Sequence, residues 1–587
     1  NAWSDGGLKR TIAKNKLDSR DAALATRLCY GVIQNRMLLD YYIGCWCSQK
    51  PHRLEPVILN ILRIGGYQIL FMDKIPHRAA VNEAVEMTKR WGRPKAAGMV
   101  NAVLRKFVAN WMDMPALPQG TTADYLSVRY SHPKWLVKRL QAILGPETEA
   151  CLAADNAPAP LTIQVNPLKA AAEELTAELE ASGVIVRPHP WVSGCLELDH
   201  AGDLTALAPF RAGKFLVQDP AARLVSQIAG VEPGMRVLDV CAAPGGKTSQ
   251  LAEALQGQGL LLANEFVAAR AEILRQNLER MGVTNAVITN EDTANLAKAL
   301  PGVFDRVLVD APCSGEGMFR KEPVAATQHN NALVEHCAAL GAEILENAAA
   351  MLAPGGVLVY STCTFAPQED EAQIAAFLAR HPEFTLCDLN ACGFGRPGEE
   401  NRAPDCTDIT RCRRIWPADG GEGHFMAKLK KSPDAEAPVP VRVKPGKPAK
   451  TPPEWLDFVK TTFPFLADRP LTTAGDWLLL PVPGSELLNL SKLRIVRGGV
   501  LAGSVLKKRF QPAHALFMAY GARCTNREEL TLDDPRTAAW LRGEEINAAT
   551  AQNGWCAVLV DGFPLGGGKA SGGRIKKHYP KGLRSLQ

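Results

Sequence analysis

The stretch VLDVCAAPGGK, residues 237–247, predicts a buried strand that runs into a glycine turn and then into a helix. Such a turn lets the backbone approach a ligand closely, and the amino terminus of the helix favours polar or anionic groups. From residue 215 onward, strand-like runs alternate with helical runs at the spacing of a parallel sheet covered by helices. We therefore predict an α/β doubly wound, Rossmann-like core over residues 215–430.

Acidic residues end the next two predicted strands of this core. Glu265 ends the second strand, in the run LLANEF, and Asp292 ends the third strand, in TNED. A carboxylate at the first of these positions can accept hydrogen bonds from two ribose hydroxyls, and we expect Asp292 near an adenine amino group. Because no phosphate-binding lysine motif accompanies them, the pattern favours a nucleoside-containing cofactor over a phosphate-rich one.

Two further strands end in cysteines. VLVDAPCSGEGMF, residues 307–319, brings Asp310 and Cys313 to the end of strand four, and VLVYSTCTF, residues 357–365, brings Cys363 to the end of strand five. A single cysteine at a strand end is usually an inert, small apolar residue. Strands four and five are neighbours in this topology, so we expect both thiols and the carboxylate to share one cleft beside the cofactor.

The rest of the chain predicts accessory domains. Residues 1–140 show helical periodicity and predict an all-α domain, whereas residues 141–214 predict a small α+β unit. Residues 431–455 are rich in Pro and Lys and predict a linker. The short β-type runs of residues 456–587 predict a β-rich carboxyl-terminal domain.

Charge is distributed unevenly along the 587 residues. Residues 1–140 contain 22 Lys and Arg against 10 Asp and Glu, a net charge of +12. Residues 141–427 contain 20 basic and 37 acidic residues, a net charge of −17, and residues 569–587 contain six basic residues and no acidic one. Basic ends around an acidic centre suggest that accessory domains bind a polyanion such as nucleic acid.

Composition excludes several other classes of protein. No run of 18 apolar residues is present, so we expect no membrane span. The segment NAWSDGGLKR lacks both an apolar leader and a starting Met, so we expect a cytoplasmic protein whose first residues are missing. The whole chain contains 15 cysteines. Their odd number and scattered spacing favour reduced thiols. We expect no metal site, because the best zinc candidates are too loosely spaced, namely Cys387, Cys392, Cys406 and Cys412.

CAAPGGK, DAPCSG and YSTCTF together are similar to the motifs of bacterial RNA cytosine-5 methyltransferases. Residues 1–140, with KIPHRAAVNEAVEMTKR and GMVNAVLRKF, resemble the NusB-like RNA-binding domain of the small-subunit rRNA methyltransferase B group without its first helix. From about residue 260 the chain resembles the F group, through GEGMFRKEP, RRIWPADGGEGHFMAKL and the PUA-like tail DGFPLGGGK. These two accessory domains do not normally share a chain, so the sequence has the form of a fusion.

The resemblance implies that S-adenosylmethionine is the cofactor and that RNA, either 16S rRNA or the small ribosomal subunit, is the partner of a monomeric enzyme. It also implies that residues 141–214 are an RRM-like unit. The implied cofactor-binding residues are Cys241, Ala242, Ala243, Pro244, Gly245, Gly246, Lys247, Glu265, Arg270, Asp292 and Asp310.

The resemblance further implies three catalytic roles. Cys363 adds to cytosine C6, Cys313 acts when the C5 proton is lost and the enzyme thiol is released, and Asp310 holds the cytosine edge and stabilises charge at N3. Lys247 could approach this same site or only cap the helix, and we favour a role in support of the cofactor loop.

Several alternatives remain open from the sequence. A DNA cytosine-5 methyltransferase would use the cysteine of Pro312–Cys313 as its nucleophile, although the second cysteine and the RNA-type accessory domains argue against it. Methylation of an amino group is disfavoured, because that chemistry prefers an Asn/Asp-Pro-Pro-Tyr loop where this chain has DAPC. An RNA-binding scaffold with an inactive methyltransferase fold, and a tRNA rather than an rRNA substrate, are the other two alternatives.

Overall fold

The computed structural model describes residues 4–157, 160–202, 204, 207–319, 329–439, 441, 450–506, 509–531 and 534–580. Much of the predicted linker and the last seven residues of the basic tail lie outside this described part. The chain divides into two units. The first comprises Asn1–Ala159, Gly315–Asn330 and Trp416–Glu422, and the second comprises Pro160–Ser314, Asn331–Ile415 and Gly423–Gln587.

The first unit is helical, as predicted. Its core is formed by apolar side chains that recur at helical spacing, and Leu62, Val100 and Phe107 are fully buried in it. Gly65 lets two helices approach closely, because a Cβ atom there would lie 2.7 Å from Leu104 Cδ1. The helices are α1 Ser4–Asn15, α2 Ser19–Gln34, α3 Arg36–Trp46, α4 Pro56–Phe71, α5 His77–Arg90, α6 Ala97–Asn110, α7 Thr122–Tyr130, α8 Lys134–Leu144 and α9 Thr148–Asn156.

The second unit begins with a small α+β layer. Its antiparallel sheet has the strand order β2-β3-β1-β4. One face of this sheet is apolar and packs on a helix through Leu175 and Leu179, which are fully buried. The elements are β1 Leu161–Val165, α10 Ala172–Ala181, β2 Ile185–Pro188, β3 Cys195–Asp199, α11 Ala208–Arg211 and β4 Phe215–Val217.

The predicted Rossmann-like core follows. Its parallel strands are ordered β9-β8-β5-β6-β7, so the direction of the strand order changes between β5 and β8, which is where such sheets hold their ligands. The elements are α12 Pro220–Ile228, β5 Arg236–Asp239, α13 Gly246–Ala254, β6 Leu260–Asn264, α14 Ala268–Arg280, β7 Ala286–Thr289, α15 Thr293–Ala299, β8 Phe304–Asp310, α16 Asn331–Met351, β9 Leu352–Thr362, α17 Glu371–Arg380, β10 Phe384–Leu386, β11 Arg396–Pro397, β12 Arg413–Ile415 and β13 His424–Lys431.

The carboxyl-terminal region is rich in strands, as predicted. It contains one sheet ordered β14-β15-β17-β18 and another ordered β19-β21-β22-β23-β20. Strand β16 belongs to neither and pairs with β7 at the edge of the core sheet. The elements are α18 Pro453–Thr462, β14 Thr472–Ala474, β15 Trp477–Pro481, β16 Ile495–Arg497, β17 Gly499–Leu506, β18 Arg509–Pro512, α19 His514–Tyr520, β19 Arg527–Leu530, α20 Pro535–Leu541, β20 Ile546–Asn547, β21 Gly554–Val560, β22 Phe563–Ser571 and β23 Arg574–Lys577.

Candidate active site

The glycine turn between β5 and α13 is held by the backbone of its neighbours. Ala242 N donates to Asn264 O at 2.8 Å. Gly245 has a φ of +108°, and a Cβ atom there would lie 3.1 Å from Leu274 Cδ1, so a larger residue would be strained and crowded. The turn therefore keeps a tight path that a side chain at this position would disturb. Its other residues are Cys241, whose pKa is raised by burial, Ala243 and Gly246, with Pro244 exposed.

Glu265 lies directly after strand β6, and its side chain is almost enclosed, at 3% exposure. Its Oε1 accepts a hydrogen bond from Val267 N at 2.9 Å, and Arg270 Nη1 lies 3.4 Å from its Oε2. Arg270 also donates to Ala243 O at 2.8 Å, which links this carboxylate to the glycine turn. A buried carboxylate beside a glycine turn is able to accept hydrogen bonds from ribose hydroxyls.

Asp292 differs in position from the prediction. Strand β7 ends at Thr289, so Asp292 does not end the strand but caps the amino terminus of α15. Its Oδ1 accepts from Ala294 N at 2.8 Å. The difference arises because the side chain of Asp292 accepts a hydrogen bond from the backbone N–H of Ala294, so the residue begins helix α15 instead of ending the strand.

Asp310 and Lys247 meet at the carboxyl ends of β8 and the glycine turn. Lys247 Nζ lies 2.7 Å from Asp310 Oδ2, and Ser361 Oγ donates to Asp310 Oδ1 at 2.8 Å. Burial acts to raise the pKa of Asp310, but the charge and hydrogen bond of Lys247 and the hydrogen bond of Ser361 outweigh it and leave that pKa lowered. Lys247 is thus paired with Asp310, the approach to that site that we did not favour from the sequence.

The two predicted thiols lie together. Cys313 Sγ is 3.3 Å from Cys363 Sγ, and Cys363 N donates to Cys313 Sγ at 3.4 Å. Both are free thiols, since a disulfide bond is about 2.05 Å long. The hydrogen bond with Cys363 and burial raise the pKa of Cys313 well above its usual range, so Cys313 stays protonated at neutral pH. Parallel pairing of β8 with β9 produces this contact, because each cysteine follows its strand by one to three residues.

Sequence reasoning missed three residues next to these cysteines. Ser314 and Thr364 each follow a cysteine, and their hydroxyl oxygens lie 2.8 Å apart. The carboxylate of Glu369 accepts hydrogen bonds from Ser314. The signal was the repeated order of a cysteine followed by a hydroxyl residue, in PCS and in TCT.

The described residues contain neither a cluster of metal ligands nor a helix suited to a membrane span. Among these residues no group of three or more His, Cys, Asp or Glu side chains is placed to hold a metal ion. None of the described helices is both long enough and apolar enough to cross a bilayer.

Five family models match successive parts of the chain, and they agree with the predicted all-α, small α+β, Rossmann-like and PUA-like composition. The RsmB/F model matches the core that carries the glycine turn and both cysteines. The models are the NusB family at 2–109, the RsmF/B-like ferredoxin-like domain at 132–205, the 16S rRNA methyltransferase RsmB/F at 227–430, the RsmF rRNA methyltransferase first C-terminal domain at 457–520 and the methyltransferase RsmF PUA domain at 527–585.

Curated relatives align with most of their own length. The probable ribosomal RNA small subunit methyltransferase B of Bacillus subtilis (strain 168) is 33% identical over 392 residues, which are 65% of this chain and 86% of that protein. Ribosomal RNA small subunit methyltransferase B of Vibrio cholerae serotype O1 is 34% identical over 391 residues, 66% of this chain and 89% of that protein.

A solved structure is also similar to this chain. The crystal structure of PH0851 is 28% identical, has a TM-score of 0.60, and covers 72% of this chain and 93% of its own. With relatives above 30% identity that are covered over more than four fifths of their length, this chain belongs to the RsmB/F family of S-adenosylmethionine-dependent rRNA small-subunit methyltransferases.

Proposed function

We propose that this chain methylates C5 of a cytosine in 16S rRNA and that the thiolate of Cys363 adds to C6 of that base. The contact between Cys313 and Cys363, with Sγ atoms 3.3 Å apart, is the observation that carries this proposal. It lies at the ends of neighbouring strands with the Lys247–Asp310 pair at the same sheet edge. The names of the relatives and of the matching core model support small-subunit rRNA as the substrate.

Covalent addition solves a problem of reactivity. Cytosine C5 is too weak a nucleophile to take a methyl group directly. When the Cys363 sulfur forms a bond to C6, the electron pair of the C5–C6 double bond shifts to form a C4–C5 double bond, and negative charge moves to N3. C5 is then the nucleophilic carbon of an enamine. S-adenosylmethionine, when bound, supplies an electrophilic methyl group. A base then removes the C5 proton, the double bond forms again, and Cys363 leaves as a thiolate.

The Lys247–Asp310 pair fits the polar edge of cytosine. Because the pKa of Asp310 is lowered, its carboxylate is ionised and accepts a hydrogen bond from the exocyclic amino group. An ionised carboxylate does not stabilise negative charge, so we assign that role at N3 to the ammonium group of Lys247. This changes the role that the family resemblance implies for Asp310.

Cys313 acts when the covalent bond breaks. Its raised pKa keeps a proton on the sulfur, and that sulfur lies 3.3 Å from Cys363. Its S–H group donates to the Cys363 sulfur as negative charge develops there, which makes Cys363 a better leaving group. Removing Cys313 therefore slows release more than addition.

The glycine turn, Glu265 and Arg270 hold the cofactor, and Asp292 lies on the same side of the sheet at the start of α15. We assign the ribose hydroxyls to the carboxylate of Glu265 and the close backbone approach to the turn at Gly245.

The experiment is transfer of a labelled methyl group from S-adenosylmethionine to 16S rRNA, followed by denaturing electrophoresis. Cys363→Ala should lose both methylation and the covalent RNA adduct, whereas Cys313→Ala should accumulate a methylated adduct. Cys392→Ala removes an exposed cysteine of the same unit and serves as the control.

Three results would contradict the proposal. An adduct that accumulates in Cys363→Ala and is absent in Cys313→Ala would reverse the two roles, as in a DNA-type enzyme. Full activity of both variants would make the thiols packing residues. Bisulfite sequencing that finds the new 5-methylcytosine in tRNA but not in 16S rRNA would overturn the substrate.

A further inference from the structure

The loops that carry Cys313 and Cys363 are joined by a second set of contacts, one residue beyond each thiol. Ser314 Oγ and Thr364 Oγ1 lie 2.8 Å apart. Ser314 Oγ donates to Glu369 Oε1 at 2.6 Å, and Ser314 N donates to Glu369 Oε2 at 2.8 Å. We call the side chains of Ser314, Thr364 and Glu369 the hydroxyl–carboxylate clip.

The direction of these hydrogen bonds follows from the number of protons. A serine hydroxyl has one proton, and in Ser314 it is used toward the carboxylate of Glu369. The contact between the two hydroxyls must therefore be donated by Thr364. The result is a chain of donors from Thr364 through Ser314 to Glu369, in which each hydrogen bond polarises the next.

The clip is enclosed and well anchored. Ser314 is 6% exposed, Thr364 is 0% and Glu369 is 1%. Tyr360, on the strand that leads to Cys363, donates its hydroxyl to Glu369 O at 2.7 Å. Because hydrogen bonds in such surroundings are costly to break, the clip holds the two loops in one relative position.

We propose that Glu369, acting through Ser314 and Thr364, is a positioning residue that keeps the Cys313 thiol against the sulfur of Cys363 for the release step. This inference rests on the proposed covalent mechanism. Cys313 can assist release only while its proton points at the departing sulfur, and the clip fixes the residue that follows each thiol. A displacement of about 1 Å in such a contact can slow a step about 100-fold.

The test compares substitutions that keep or remove the donor of Thr364. Thr364→Val keeps the shape but loses the hydroxyl, and Thr364→Ser keeps it. We expect Thr364→Val and Ser314→Ala to slow turnover about 10- to 100-fold, with a first round of methylation near the wild-type rate and a long-lived adduct in denaturing gels. Thr364→Ser, which keeps the hydroxyl, should release the methylated RNA at a rate near that of wild type.

The matched control is Thr537→Val, which removes another buried hydroxyl hydrogen-bonded to a backbone oxygen, in the carboxyl-terminal region. It should lower the melting temperature without adduct accumulation. Affinity for S-adenosylmethionine, measured by calorimetry, should be the same in all four variants. If Thr364→Val fails to fold, Ser314→Ala still decides, because it keeps the backbone donor to Glu369.

Two outcomes separate the inference from the proposed function. Normal turnover without adduct in both Thr364→Val and Ser314→Ala would overturn the positioning role and leave the covalent mechanism intact. If Cys363→Ala, assayed in parallel, retained methylation, the mechanism itself would fail, and the positioning role would fail with it.

Discussion

Asp239 lies near the glycine turn, and folding raises the pKa of its carboxyl group. It is 1% exposed, and Thr248 Oγ1 donates to its Oδ2 at 2.7 Å. Burial raises its pKa from the usual 3.8 to about 7; the hydrogen bond from Thr248 opposes this shift and the negative charge of Asp310 adds to it. The folded protein therefore holds a proton that the unfolded chain would release.

The first prediction is a pH-dependent effect of Asp239→Asn. The folded pKa lies above the unfolded one, so the stability that Asp239 contributes is fully present below about pH 4 and is lost as the pH rises through about 7. The neutral amide keeps an oxygen that accepts from Thr248. We expect the variant to gain stability over wild type between about pH 5 and 8, by about 1.4 kcal/mol for each unit of pKa difference.

Thermal unfolding of the variant and the wild type at about pH 5 and about pH 8 measures this effect. Asp305→Asn changes a carboxylate that pairs with Arg236 at the surface and serves as the control. A difference in melting temperature between Asp239→Asn and wild type that is the same at both pH values would contradict the raised pKa.

The second prediction at this scale concerns Glu265. Glu265→Ala removes a buried acceptor for ribose, at a cost of about 1–3 kcal/mol in the free energy of binding S-adenosylmethionine. Calorimetry measures the change. Glu272→Ala, which removes a surface partner of Arg275 on the neighbouring helix, should bind as wild type does. Equal affinity of Glu265→Ala and wild type would remove Glu265 from the cofactor site.

At the scale of elements, strand β16 joins the carboxyl-terminal region to the cofactor side of the core. Ile495 pairs with Thr289 of β7, and Asn290 N donates to Arg494 O at 2.9 Å. Glu291, almost fully buried, accepts from Arg494 N at 2.8 Å. Since an edge strand exposes unpaired backbone groups, β16 satisfies the edge of β7 and fixes the residues that precede Asp292.

The third prediction tests this connection. Glu291→Ala leaves the backbone amide of Arg494 without its acceptor, a charged carboxylate, which costs about 1–3 kcal/mol of stability. We expect a lower melting temperature together with a weaker affinity for S-adenosylmethionine, because the start of α15 loses its support. Glu486→Ala, at an exposed position of the same region, is the control. Unchanged cofactor affinity would limit β16 to a structural role.

At the scale of the whole molecule, the distribution of charge and the domain composition both point to RNA as the partner. The all-α amino-terminal region has a net charge of +12, whereas residues 141–427 have −17. NusB, ferredoxin-like, methyltransferase and PUA models all match this one chain. A basic accessory domain can attract RNA that the acidic central part would repel.

The fourth prediction follows from this distribution. Replacing four exposed basic residues of the amino-terminal region with Gln should flatten the dependence of log K on log salt, by up to about 0.7–0.9 for each RNA phosphate that the variant no longer neutralises. The residues are Arg90, Lys95, Arg105 and Lys106. Filter binding to 16S rRNA between low and high salt measures the slope.

The control for this prediction removes the same number of exposed basic residues from the core. They are Arg236, Lys298, Arg380 and Lys430, and their replacement should change the slope less. An equal change in both variants would mean that the amino-terminal charges have no special part in RNA binding.

Local sequence patterns were sufficient to predict the helices and strands and the sheet edge at which the glycine turn and the two cysteines lie. Strand and helix periods are local, and the glycine turn and the two cysteines stand at strand ends that any doubly wound sheet brings to one edge. The order of β8 beside β9 therefore predicted that Cys313 and Cys363 converge, and the structure places their sulfurs 3.3 Å apart.

Which side chains support that chemistry depends on contacts between residues that are far apart in the sequence. Lys247 and Asp310 are 63 positions apart in sequence, Ser314 and Glu369 are 55 apart, and Glu291 and Arg494 are 203 apart. Each contact depends on the register between neighbouring strands and on the rotamers that close packing allows, and neither leaves a periodic signal along the chain. The contacts of the clip and the pairing of β16 with β7 could therefore not be predicted from the sequence, although the residues that make them are all in it.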